Sequence, residues 1–173
     1  WFVQAGGWEK DENINMWVDF CKKTAATFGE CVTNWNTFNE PNVYVSNGWA
    51  LGEFPPFKKM SLPAAFKVAA NLGKAHELVY DYLKAKFPEK PVGISHNTVI
   101  FTAENLLGKV PAKISDWWFM DFMLSKFDKK LDFFGLSYYA KISHDPSPIT
   151  YLDTPEKFAL LNKPHDDMWE YYP

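Results

Sequence analysis

Three short runs rich in β-branched and aromatic residues, each preceded by a stretch of helical periodicity, constrain this chain more than any other feature. Apolar residues at Ile14, Trp17, Val18, Cys21, Ala25 and Phe28 recur at three- and four-residue spacing before Gly29, which predicts a helix over 11–28. "CVTNWNTFNEP" then alternates as a strand does and stops at Pro41. Gly48, Gly52, Pro55 and Pro56 make 42–59 a long loop, a length that usually carries function. Ser61 offers a cap and Pro63 a first-turn proline for a long helix. Its stripe is Ala69, Leu72, Gly73, His76, Val79, Tyr80 and Leu83, and it ends near Phe87. "PVGISHNT" reads as a second strand, "SDWWFMDFMLSKF" as a helix after an irregular stretch, and "LDFFGLSYYAKI" as a third strand. Such alternation calls for a parallel sheet with crossover helices.

A doubly wound open sheet and a (β/α)8 barrel share this pattern. No glycine-rich phosphate turn follows any strand, which removes the main support for a nucleotide-binding open sheet. Asn39, Glu40, His96, Asn97, Ser137 and Tyr139 all fall near strand C-termini, where a barrel keeps its chemistry. The expected fold class is therefore α/β, of the (β/α)8 TIM-barrel type. Residues 1–173 form a single domain in this reading. A closed barrel needs about 200 residues or more, so three strands amount to an incomplete portion of one.

Composition narrows the partners. A net charge of -3 with scattered lysines gives no footprint for nucleic acid. All 18 basic residues are lysines, which removes bidentate guanidinium clamps, so a ligand would be read by neutral hydrogen bonds and ring stacking. Eight Trp, eight Tyr and 15 Phe exceed what an ordinary core needs, and aromatics lining a site would account for the excess. No run approaches the roughly 18 apolar residues of a membrane span. Cys21 and Cys31 have neither metal nor disulfide-framework spacing, and free thiols fit a reducing, cytoplasmic compartment. The chain starts on Trp1 and stops at Pro173 within an aromatic cluster, so both ends read as cut.

The candidate residue for chemistry is Glu40. Sugars offer hydroxyls for neutral hydrogen bonds and C–H faces for stacking, so a carboxyl group among Asn, His, Tyr and Trp makes a sugar site. Glycoside hydrolysis needs a carboxylic acid to protonate the leaving oxygen, and burial among aromatics raises a glutamic acid toward the working pH. The competing reading is a carboxylate that merely caps the following loop. His76, on the helical stripe, reads as a packing histidine. Trp117 and Trp118 read as packing between layers, and Asp166 and Asp167 as solvated charges.

"TFNEP" followed by "GWALGEFPP" resembles the acid/base signature of family 1 glycoside hydrolases, the β-glucosidase and β-glycosidase family. "WFVQAGGWEK", "AANLGKAH", "LDFFGLSYYAKI" and "HDDMWEYYP" resemble further segments of that family in the same order, from the end of its third strand to the start of its sixth helix. The resemblance implies a retaining β-glycosidase acting on a β-glucoside or related small saccharide, without metal or organic cofactor. It makes Glu40 the general acid/base and Asn39 the hydrogen-bond partner of the sugar 2-hydroxyl. Tyr139 matches a tyrosine that contacts the nucleophilic carboxylate, and Trp169 a tryptophan on the aglycone side. His96 and Asn97 fall where aglycone contacts are found. Ser137 departs from the Asn of many members and is similar to the phospho-β-glycosidase branch, which leaves the sugar open.

A retaining glycosidase needs a second carboxylate, which the family carries in a Thr-Glu-Asn-Gly motif. No such string occurs here, and Ala103-Glu104-Asn105 lacks its order and its glycine. These residues alone are therefore expected to be inactive, and an open sheet piece is expected to self-associate or to need the remaining barrel segments. The alternative function is a non-catalytic sugar-binding or structural barrel fragment.

Overall fold

The computed structural model describes residues 2–103 and 105–144. Among them three strands form one sheet in the order β1-β2-β3: β1 is Trp35–Asn39, β2 Val92–Thr102 and β3 Phe133–Ser143. β1 and β2 run parallel. The Asp132 amide donates to the Val92 carbonyl at 2.8 Å, and the His144 amide to that of Thr102 at 2.8 Å, so β3 runs the same way. Four α-helices join this pattern: α1 (Ile14–Phe28), α2 (Pro41–Val45), α3 (Leu62–Lys86) and α4 (Leu106–Asp116). The chain forms two compact units, one of Trp1–His96 with Phe122–Leu136, the other of Asn97–Asp121 with Ser137–Pro173.

In the first unit α1 and α3 are neighbours. α1 buries Ile14, Val18 and Ala25. α3 buries Ala65, Val68, Ala69, Leu72, Ala75, His76, Val79 and Leu83, a stripe at helical spacing that extends the expected one by a turn. Pro63 sits in its first turn, where a missing N–H costs nothing. Ser61 occupies the cap position without a side-chain bond; its carbonyl accepts from the Ala65 amide at 3.0 Å instead. Gly29 is buried against Phe87 so closely that a Cβ would run into the ring.

Part of the aromatic content is core: Trp8, Trp49, Phe87 and Phe127 are buried. Trp17 stacks on Phe38 at 5.1 Å, Trp8 meets both edge-on, and Phe127 contacts Phe38 at 6.2 Å and His76 at 5.6 Å. His76 is fully buried, as a packing histidine should be. Its Nε2 lies 2.5 Å from the Lys130 carbonyl, which can only accept, so Nε2 carries the proton and Nδ1 accepts from the Thr37 hydroxyl at 2.7 Å. Burial lowers the His76 pKa below its ordinary 6.5, outweighing the opposing pull of the Lys130 carbonyl. The sign follows: the unfolded chain takes up this proton near its ordinary value while the folded chain resists it. His76 thus contributes stability in full above about pH 6.5, lost as the pH falls toward the folded value. Thermal melts between about pH 7.5 and about pH 5.5 should show Tm falling, and more steeply than in a His76→Gln variant. Parallel slopes would exclude the histidine as the cause.

Two expectations are corrected and one is extended. The strand ends before Pro41 as expected, and Pro41 also opens α2, since a fixed φ suits the first helical residue. The 42–59 loop is partly helical, with α2 running into a π-type turn at Ser46–Leu51. The helix expected over 115–127 begins earlier, as α4, because Asn105 caps it by accepting the Gly108 amide at 2.9 Å. Leu106, Leu107, Val110 and Ile114 on α4 are exposed, so no buried stripe announces this helix. Trp117, read as packing, is also half exposed.

Candidate active site

β1 ends at Asn39, and Glu40 follows with φ 48° and ψ 55°, in the left-handed region. A residue with a Cβ holds this conformation at a cost of about 1–3 kcal/mol, and such strain concentrates at functional sites. The surroundings impose it. The Glu40 amide donates to the Ser95 carbonyl on β2 at 2.8 Å, while its own carbonyl accepts from the Val43 and Tyr44 amides at 3.1 and 3.2 Å. Strand pairing on one side and the first turn of α2 on the other leave Glu40 as the hinge.

Its side chain does not cap α2, so the loop-capping alternative fails at this residue. Glu40 is half-buried, and among the described residues its carboxylate takes part in no hydrogen bond or ion pair. A strained backbone that presents an uncommitted carboxyl group at a strand tip is suited to proton transfer. Asn39 beside it is exposed.

The other candidates divide. His96 is fully buried, packs on Phe134 at 5.8 Å and lies on the face of β2 opposite Ser95. That placement makes it a buried residue of the first unit. Asn97, nine-tenths buried on β2, and Tyr139, half exposed on β3, belong to the second unit. Trp169 lies outside the described residues, as do Asp166 and Asp167. No cluster of His, Cys, Asp or Glu suited to a metal occurs among the described residues, and no described helix is long and apolar enough to cross a membrane. Both cysteines are free, Cys21 with its thiol pushed up to about 12 by burial.

Sequence reasoning missed a second polar group in the first unit. Glu9 accepts the Trp49 indole N–H at 2.8 Å and the Lys58 ammonium at 2.7 and 2.8 Å. Hydrogen bonds from Lys58 and then Trp49 hold its carboxyl below the usual range. This clamp ties the segment after α2 to the N-terminal residues and borders a cavity of about 400 Å³ lined by Phe2, Trp8, Tyr44, Trp49 and Phe54. Burial raises the Tyr44 hydroxyl's pKa. The signal was available only as a carboxylate beside Trp8, which names no partner.

Comparison with known proteins agrees with this geometry. Residues 2–105 match the model of Glycosyl hydrolase family 1. A 6-phospho-beta-galactosidase of Clostridium acetobutylicum is 32% identical over 124 residues, covering 69% of this chain and 24% of that protein. The galactolipid galactosyltransferase SFR2 of Arabidopsis thaliana is 28% identical over 153 residues, covering 82% and 24%. The solved beta-glycosidase from Pyrococcus horikoshii superposes with a TM-score of 0.73 at 31% identity, over 87% of this chain and 39% of its own. The chain thus spans about a quarter of the curated relatives' length. With its parallel strands, crossover helices and Thr-Phe-Asn-Glu-Pro strand tip, it is part of a (β/α)8 barrel and belongs to Glycosyl hydrolase family 1.

Proposed function

We propose that the protein carrying this chain is a retaining β-glycosidase and that Glu40 is its general acid/base. The observation that carries the reading is the uncommitted, half-buried carboxyl of Glu40, held on a strained backbone at the tip of a parallel strand. As an acid, Glu40 protonates the glycosidic oxygen while a second carboxylate attacks the anomeric carbon, and the aglycone leaves as an alcohol. As a carboxylate, it then removes a proton from the water that cleaves the glycosyl-enzyme, restoring both groups.

The two carboxyl groups would stand about 5–5.5 Å apart, and the second comes from outside these residues, which hold no Thr-Glu-Asn-Gly string. Asn39 is assigned to the sugar 2-hydroxyl, Tyr139 to the nucleophilic carboxylate and Trp169 to the aglycone side. His96 and Asn97 are assigned to aglycone contacts. One relative's name denotes a galactosidase and another's a galactosyltransferase; in this chain's proposed mechanism a sugar hydroxyl could take the place of water at the glycosyl-enzyme.

Proton NMR of a β-glucoside being hydrolysed tests the reading. The β-anomer of the free sugar should appear first, with the α-anomer growing only by mutarotation. Initial release of the α-anomer would exclude a covalent intermediate. The non-catalytic alternative predicts saccharide binding with no turnover.

A further inference from the structure

The pairing beneath Glu40 is irregular. Asn36 pairs with Gly93 and Asn39 with Ser95, so β1 advances three residues while β2 advances two. That is a β-bulge, with one extra residue on the strand that carries the acid. In a regular strand residues three apart point to opposite faces. Here the bulge brings Asn36 and Asn39 to the same one, shared with Gly93 and Ser95. Everything beyond the bulge owes its facing to that extra residue. Ironed out, it would shift the register by one and turn both Asn39 and Glu40 to the opposite side.

One side-chain contact spans the bulge. The Asn36 amide Nδ2 donates to Ser95 Oγ at 3.0 Å, and the Ser95 carbonyl accepts the Glu40 amide at 2.8 Å. Ser95 therefore holds the strand on both sides of the extra residue, by its hydroxyl before and its carbonyl after. On β3, Gly135 leaves the space this hydroxyl needs: a Cβ there would stand 2.8 Å from Ser95 Oγ. The sheet thus leaves room for the contact that the exposed Asn36 makes.

We propose that Asn36 and Ser95 are positioning residues for Glu40: their hydrogen bond pins the bulge and so aims the carboxyl group at the glycosidic oxygen. The inference rests on Glu40 being the acid. Its consequence is specific, because a misaimed acid harms only reactions that need protonation. Leaving groups that depart as stable phenolates need little, whereas poor ones need it fully.

The test uses the protein that carries this chain, with Asn36→Ala, Ser95→Ala, the double variant and Glu40→Gln, each assayed by kcat/KM on aryl β-glucosides of graded leaving-group acidity. Each single variant should lose about tenfold on poor leaving groups and under about twofold on dinitrophenyl glucoside. The double variant should be no worse than either single one, because both break one bond. Equal loss across all leaving groups, or additive losses, would overturn the proposal and leave a structural role. Should Glu40→Gln itself show no dependence on leaving group, the acid assignment fails, which is a separate result. The Glu40 amide shift in NMR spectra gives a second readout: Asn36→Ala should move it, and an unmoved resonance would also overturn the pin.

Discussion

Replacing Glu40 by glutamine should lower turnover of a β-glucoside with a poor leaving group by about 10²–10⁴-fold, the range that a positioned general acid supplies. Glutamine keeps the shape and removes the proton. The left-handed backbone, the amide bond to Ser95 and the start of α2 involve only main-chain atoms, so they survive the change. Folding should therefore be unaffected, and the loss should fall on kcat more than on KM. With an activated aryl glucoside, bond cleavage proceeds without the acid while the later attack of water still lacks its base, so a burst of phenol before a slow steady state is expected. A variant with unchanged kcat on an unactivated substrate would remove Glu40 from the mechanism.

Phe127→Ala should produce the largest loss of stability, about 3–5 kcal/mol by the usual cost of emptying a buried aromatic site. The ring is 1% exposed and closes the cluster that joins Phe38 on β1 to His76 on α3. These neighbours are fixed in turn, Phe38 by Trp17 and Trp8, His76 by hydrogen bonds at both ring nitrogens. The site therefore cannot collapse cheaply. Since a domain's total stability is about 5–15 kcal/mol, urea midpoints should drop by a large fraction. A shift below about 1 kcal/mol would mean that the cluster repacks and that the aromatic chain is not what joins strand to helix.

The same residues show how far a sequence can be read. α1 and α3 were legible because burial of a helix face forces apolar residues into a 3.6-residue period. β1–β3 were legible because each is a short run rich in β-branched and aromatic residues, which suit a pleated sheet. α4 was not, because its apolar residues face outward in this structure and its start depends on a cap by Asn105 rather than on a stripe. That Pro41 also opens α2 was hidden for a related reason: a proline that ends a strand need not open a helix, and only its neighbours decide.

At the site the division is sharper. The sequence by itself determined that a carboxylic acid stands at a strand tip, since strand pattern, Glu40 and Pro41 are all local, and the family follows from the same string. Local strings could not say which way that carboxyl points. Its direction depends on one extra residue in β1 measured against β2, on Asn36 meeting Ser95, and on a glycine in β3 that leaves room for both. These partners lie 59 residues apart for the first pair, so their meeting is set by the pairing of strands. Nor could His96 be placed, because one step along β2 separates the face that meets β1 at the bulge from the buried face where the ring packs on Phe134. Register has a period of two residues, so a single insertion reverses facing, and only the tertiary structure fixes where that insertion falls.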